Sequence, residues 1–147
     1  MKGEGTEPLD PCLWFDAIDR LFQQQRAGAK LENQLRFSYY LAKLAPPPAA
    51  TVVHCTMAEK CFEALLEEGH LDLASLALLG ALSFKVVRRS GSQEVAARVW
   101  LEGSSGQGDA AGQDVASAIF AAWLAFLVGL DRGSSNGDTF PSAQTPA

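Results

Sequence analysis

Apolar side chains recur at three- and four-residue intervals through much of the first hundred positions, a spacing that gathers them on one side of a helix. Residues 1–9 are polar, contain Gly and Pro, and read as a disordered lead-in. A first helix is expected from Asp10, whose carboxylate can accept from free backbone N–H groups, with Pro11 in the first turn where its missing N–H is not needed. Its stripe is Trp14, Ile18, Leu21 and Phe22, with Phe15 at the margin. After a loop at residues 25–29, the pattern predicts a second helix over 32–44, with Leu35, Tyr39, Leu41 and Leu44 inward. Pro46, Pro47 and Pro48 stop it, since each lacks an N–H and restricts its predecessor.

Thr56 and Glu59 have the spacing of a capping box, so a third helix is expected to start there and stop at Gly69, with Phe62, Leu65 and Leu66 inward. An earlier start at residues 49–51 is an alternative. Asp72 is expected to cap a Leu-rich core helix running to about Val87, where Lys85, Arg88 and Arg89 suit the negative end of the helix dipole. Val86 and Val87 also fit the beginning of a strand. A shorter helix over 94–102 takes Ser92 as cap and Gly103 as stop. The expected fold is therefore all-α: a bundle of four to five helices over residues 10–102, a Gly/Ser linker over 103–113, a separate apolar helix over 114–130 and a disordered tail over 131–147.

Length and charge narrow the functional classes. A chain of 147 residues suits one domain, and its 12 basic against 17 acidic side chains leave a net charge of −5. Nucleic-acid affinity comes largely from counterion release by clustered cations, so direct nucleic-acid binding is not expected. Cys12, Cys55 and Cys61 are an odd count after a beginning that lacks an apolar signal run, which favours reduced thiols and a cytoplasmic setting.

Chemistry-bearing motifs are sparse. Cys12, His54, Cys55, Cys61 and His70 could supply four metal ligands, but their intervals match no compact ligand pattern, so no metal or other cofactor is assigned. There is no Gly-x-Ser-x-Gly elbow, and the Gly-rich stretch after Leu101 lacks the Lys-Ser/Thr of a phosphate loop. Adjacent His54 and Cys55 would project about 100° apart on a helix, which does not favour a nucleophile–base pair. The reading is non-enzymatic. Glu59, Glu63, Glu67 and Glu68 form an acidic stripe that reads as a solvated face.

One resemblance adds to this. Asp10-Pro11-Cys12-Leu13-Trp14-Phe15, then Phe22, then Arg36-Phe37-Ser38-Tyr39-Tyr40-Leu41-Ala42-Lys43-Leu44 followed by prolines, resembles the N-terminal capsid region of gypsy-type and related arthropod retrotransposon Gag proteins over residues 8–53. The segment between Phe22 and Arg36 is longer than the family pattern, a change that a surface loop accommodates. The zinc-knuckle array that often follows in that family is missing from this sequence. The resemblance implies a capsid fragment or domesticated derivative that self-associates through helices, with itself or related capsid proteins as partner. Trp14, Phe15, Phe22 and Tyr39 would pin the first helix to the second, each contributing about 1.5–3 kcal/mol when buried.

Residues 115–130 carry no charge, and as a helix would be about 24 Å long, short of the ~30 Å bilayer core. A buried or partner-facing helix is favoured over a membrane anchor, with Phe120, Trp123, Phe126 and Leu127 as its largest contacts. Helix-mediated self-association is the leading expectation, with Trp14, Phe15, Ile18, Phe22, Tyr39, Leu44, Phe120, Trp123 and Phe126 as structural or interaction residues. An unrelated helical adaptor and a membrane-associated protein anchored by residues 115–130 are the alternatives.

Overall fold

The computed structural model describes residues 8–139 except Pro48, His54, Arg89, Ser92 and Ser105, with side chains described as far as Leu130. The expected lead-in over residues 1–7 and the last part of the expected tail, 140–147, lie outside the described residues. Helices α1 (Pro11–Arg26), α2 (Leu31–Lys43), α3 (Glu59–Glu67) and α4 (Leu71–Leu79) come first. Strands β1 (Ser83–Arg88), β2 (Val95–Trp100) and β3 (Gln107–Gly112) come next, and α5 (Val115–Thr139) ends the described chain.

The first two helices obey the local signals. Asp10 accepts from the Cys12 N–H at 3.0 Å, and Pro11 occupies the first turn of α1. Asp10→Ala should therefore lower stability by about 1 kcal/mol in a denaturant melt. Trp14, Ile18 and Leu21 are buried, while Phe15 and Phe22 are half-buried at the edge of the stripe. Antiparallel to α1, α2 turns Leu35, Tyr39 and Leu41 inward. The indole N–H of Trp14 donates to the Leu41 carbonyl at 2.7 Å, and the Gln34 amide donates to the Leu21 carbonyl at 3.3 Å, so the two helices are tied at both ends. Leu9 belongs to this unit as well, because its N–H donates to Leu44 O across the mouth of the hairpin.

Helix α3 begins at Glu59 and not at the expected Thr56: Ala58 occupies the cap position and no side chain closes it. A short 3-10 turn at Ala49–Thr51 holds the place of the alternative earlier start. Tyr39 stacks on Phe62, ring centroids 4.7 Å apart, and donates its hydroxyl to the Met57 carbonyl at 2.6 Å, which docks the approach to α3 onto α2.

From Gly80 onward the all-α expectation fails. The helix expected to continue to Val87 ends at Leu79, because Gly80 takes φ +58°, a backbone state that L side chains rarely adopt. Beyond this break the chain forms a three-stranded antiparallel sheet in the order β1-β2-β3. The segment expected as a short helix is β2: Val95, Ala97 and Val99 are buried on one face, with Ala96 and Arg98 exposed on the other, which is the two-residue period of a strand. The expected linker contains β3, where Gly108, Ala110 and Gly112 stand opposite Val99, Ala97 and Val95 and so share their inner face.

These small residues are required by the helix that covers them. A Cβ at Gly108 would collide with the backbone of Ala122 and Phe126, and one at Gly112 would lie 2.9 Å from the Ala118 nitrogen. Helix α5 is thus no separate element: it is the centre of the molecule, packed on β3 and β2 on one side and on α1 and α4 on the others. Residues from Ala116 to Val128 are buried almost all round, including Phe120, Trp123, Leu124, Phe126 and Leu127. Its backbone continues as helix through Thr139, past the expected end at residue 130. Among the described residues, no helix is long and apolar enough to cross a membrane.

Candidate interaction surfaces

Most of the residues expected to mediate contacts face inward. Trp14, Ile18, Tyr39, Phe120, Trp123 and Phe126 are buried in one continuous core, with Phe15, Phe22 and Leu44 half-buried at its margins. Phe15 meets Trp14 edge-on at 5.0 Å, and Arg26 lies over the Phe22 ring at 5.8 Å. The bundle and the C-terminal apolar helix therefore satisfy each other within one chain. Surface available to a partner has to come from elsewhere.

The first such surface is a polar ledge along α2 and α3. Arg36 bridges Glu63 at 2.8 Å and Glu32 at 3.1 Å, which raises its already high pKa and keeps it charged. Tyr40 donates its hydroxyl to Glu59, and Lys43 lies 5.2 Å over the Tyr39 ring. Part of the acidic stripe thus clasps α3 to α2 through Glu59 and Glu63, a role that the spacing of the glutamates did not reveal. The adjoining hollow is lined by Tyr39, Tyr40, Lys43, Leu44 and Glu59. Its carboxylate is engaged by the Tyr40 hydroxyl and its ammonium by the Tyr39 ring, so it serves as a brace.

The Glu59 carboxylate stabilises the protonated phenol, so Tyr40 ionises above the ordinary tyrosine range. Because the folded-state pKa is raised, this contribution is present below the unfolded tyrosine pKa of about 10 and is lost as pH climbs through the folded value. Ultraviolet titration should show Tyr40 ionising late, and Glu59→Gln should bring its transition back down. An identical titration in the variant would show that the Tyr40–Glu59 contact does not exist in solution.

The thiols and His70 are dispersed. Cys12 and Cys61 are exposed, Cys55 is half-buried, all three are free, and His70 lies near Glu68 at the start of α4. His54 lies outside the described residues. Among the described residues, no group of three or more His, Cys, Asp or Glu side chains is placed to hold a metal ion.

The second surface is the sheet. Its outer face carries Lys85, Val87, Ala96, Arg98 and Asp109 around a shallow depression of about 430 Å³. Arg98 meets Asp109 directly across the β2–β3 pair at 2.7 Å, and Gln107 donates to the same carboxylate at 3.0 Å. At one margin, among the described residues, β1 pairs with β2 alone. In an antiparallel pair, alternate residues direct both backbone groups away from the partner strand, so β1 presents unpaired donors and acceptors along its outer side.

Side chains at this margin are also under-packed. Phe84 shares the inner face with Val99 but remains 46% exposed, because α5 covers β3 and β2 and scarcely reaches β1. Val87, on the outer face, is 45% exposed. The signal in the sequence was the Val86-Val87 pair, which fitted a strand as well as a helix end, but nothing local announced that this strand would lie at an edge. No protein-family model, curated protein or solved structure matches the chain.

Proposed function

We propose that this chain acts without catalysis, as an interaction module that binds another polypeptide by adding that polypeptide's strand to the β1 edge. The observation that carries this reading is the combination in β1 of an unpaired backbone edge with two large, half-exposed apolar side chains, Phe84 and Val87. Strand addition draws affinity from main-chain hydrogen bonds and specificity from alternate side chains, and β1 offers both. Peptides selected for binding from a random library should protect the amides of residues 83–88 in hydrogen exchange. Binders that protect only α1–α4 would overturn the proposal.

A second reading keeps the kinship suggested by residues 8–53. We infer a Gag-like origin for the α1–α2 hairpin, supported by the burial of Trp14 and Tyr39 and by the Trp14–Leu41 hydrogen bond. On that reading the chain joins larger assemblies of itself or of related capsid proteins. Electron microscopy at high protein concentration tests it: regular shells or sheets are expected, and discrete small species alone would count against it.

A further inference from the structure

We propose that the polypeptide added at β1 is a second copy of this chain, joined about a two-fold axis that passes beside Val86. The inference rests on the strand-addition reading and specifies its partner. It comes from the geometry of antiparallel pairing combined with the order of side chains in Ser83-Phe84-Lys85-Val86-Val87-Arg88.

Residues directly opposite each other in an antiparallel pair must both turn their backbone groups across the gap, or both turn them away. Alternate residues differ in this respect, so a symmetric pairing of β1 with itself has to be centred on a residue and not between two. Two centres, Lys85 and Val86, allow a five-residue overlap within the six-residue strand. Centring on Lys85 sets one ammonium directly against its own copy, which is unfavourable. Centring on Val86 sets Val86 against Val86, Lys85 against Val87, and Phe84 against Arg88, so that every cation faces an uncharged partner. Centres on Phe84 or Val87 shorten the overlap to three strand residues.

Charge and burial favour the same register. Lys85 is the kind of residue that guards an edge strand against indiscriminate pairing, yet opposite Val87 it lays its aliphatic stem along an apolar neighbour. Phe84 gains an Arg88 guanidinium from the other copy, a pairing suited to the face of an aromatic ring. Because the centre falls on a residue, the inner faces of the two sheets lie on the same side. Phe84 and Val86, which α5 leaves partly uncovered, then line one shared strip between the two α5 helices. A single strand edge is a small interface, so the dimer is weak and concentration-dependent.

Sedimentation equilibrium of the full chain across a wide concentration range tests this. A monomer–dimer equilibrium is expected. Val87→Glu should tighten it about fivefold, since each copy then sets a carboxylate against Lys85 of the other, and Val87→Lys should weaken it by a similar factor. Val87 is on the exposed outer face, so both variants should fold, as far-ultraviolet circular dichroism would verify. A chain that stays monomeric throughout, a dimer indifferent to both substitutions, or an open polymer formed by β1 against the Asp109-bearing β3 edge would each overturn the self-pairing. If the chain fails to dimerise but selected peptides still protect residues 83–88, strand addition stands and only the identity of the partner is wrong.

Discussion

Gly108→Val should destabilise the domain by about 3 kcal/mol or more, among the largest effects expected for a single substitution. Its side chain would enter the seam where β3 lies against α5, and the obstacles there are backbone atoms of Ala122 and Phe126, which cannot rotate aside. Either the helix lifts from the sheet, uncovering Phe126 and its neighbours, or the strand leaves β2. Ala111→Val supplies the control, three positions along the same strand on the exposed outer face opposite Ala96. There a β-branched residue meets no helix and suits the strand, so the change should remain within about 0.5 kcal/mol of the parent. Chemical denaturation of the two variants makes the comparison. Equal stabilities would mean that α5 does not press on β3 as described.

Trp14→Ala should cost about 3–5 kcal/mol. Trp14 is fully buried, and it is also the donor to Leu41 O that locks the first helix to the second. Truncation removes the indole donor and leaves a ring-sized void, and the void lies in the same continuous core as Phe120, Trp123 and Leu127. Loss is therefore expected to be global: a probe in the sheet should melt together with a probe in α1. A variant that retained its midpoint, or lost α1 alone while the sheet melted normally, would show that α1 is not part of the common core. Trp14→Phe keeps most of the volume without the N–H and should fall between parent and alanine variant.

Sequence reading served well where a local interaction decides the outcome. The start of α1 is set by Asp10 and Pro11, the end of α2 by the prolines beyond it, and the inward stripe of Trp14, Ile18 and Leu21 by helical periodicity. It served poorly where composition carries opposite meanings in different surroundings. Gly and Ala at residues 108–112 have the composition of a flexible linker, yet form β3 because only small residues fit beneath α5. The uncharged run beginning at Val115 resembled an appended helix, but its apolar circumference is covered by the sheet and by α1 and α4.

The candidate binding surface divides in the same way. Alternation of Val95, Ala97 and Val99 was visible in the residues, but Ala and Arg between them also suit a helix, and no short-range rule separates the two. The position of β1 at an edge was not written in residues 83–88, since edge and central strands can share a composition. Only sheet order makes Phe84 and Val87 accessible.

The amino-acid sequence determined unaided the helical hairpin near the beginning, the Asp10 cap of α1 and the proline stop after α2, and the apolar character of α5, because each depends on interactions within a few turns of backbone. Tertiary structure alone decided that β1, β2 and β3 form a sheet, that α5 is its cover and the core of the molecule, and that β1 lies at an edge with side chains left half-exposed. Burial against a distant partner overrode helical propensity there. Both the small residues under α5 and the half-exposed side chains of β1 acquire their meaning from neighbours remote in sequence.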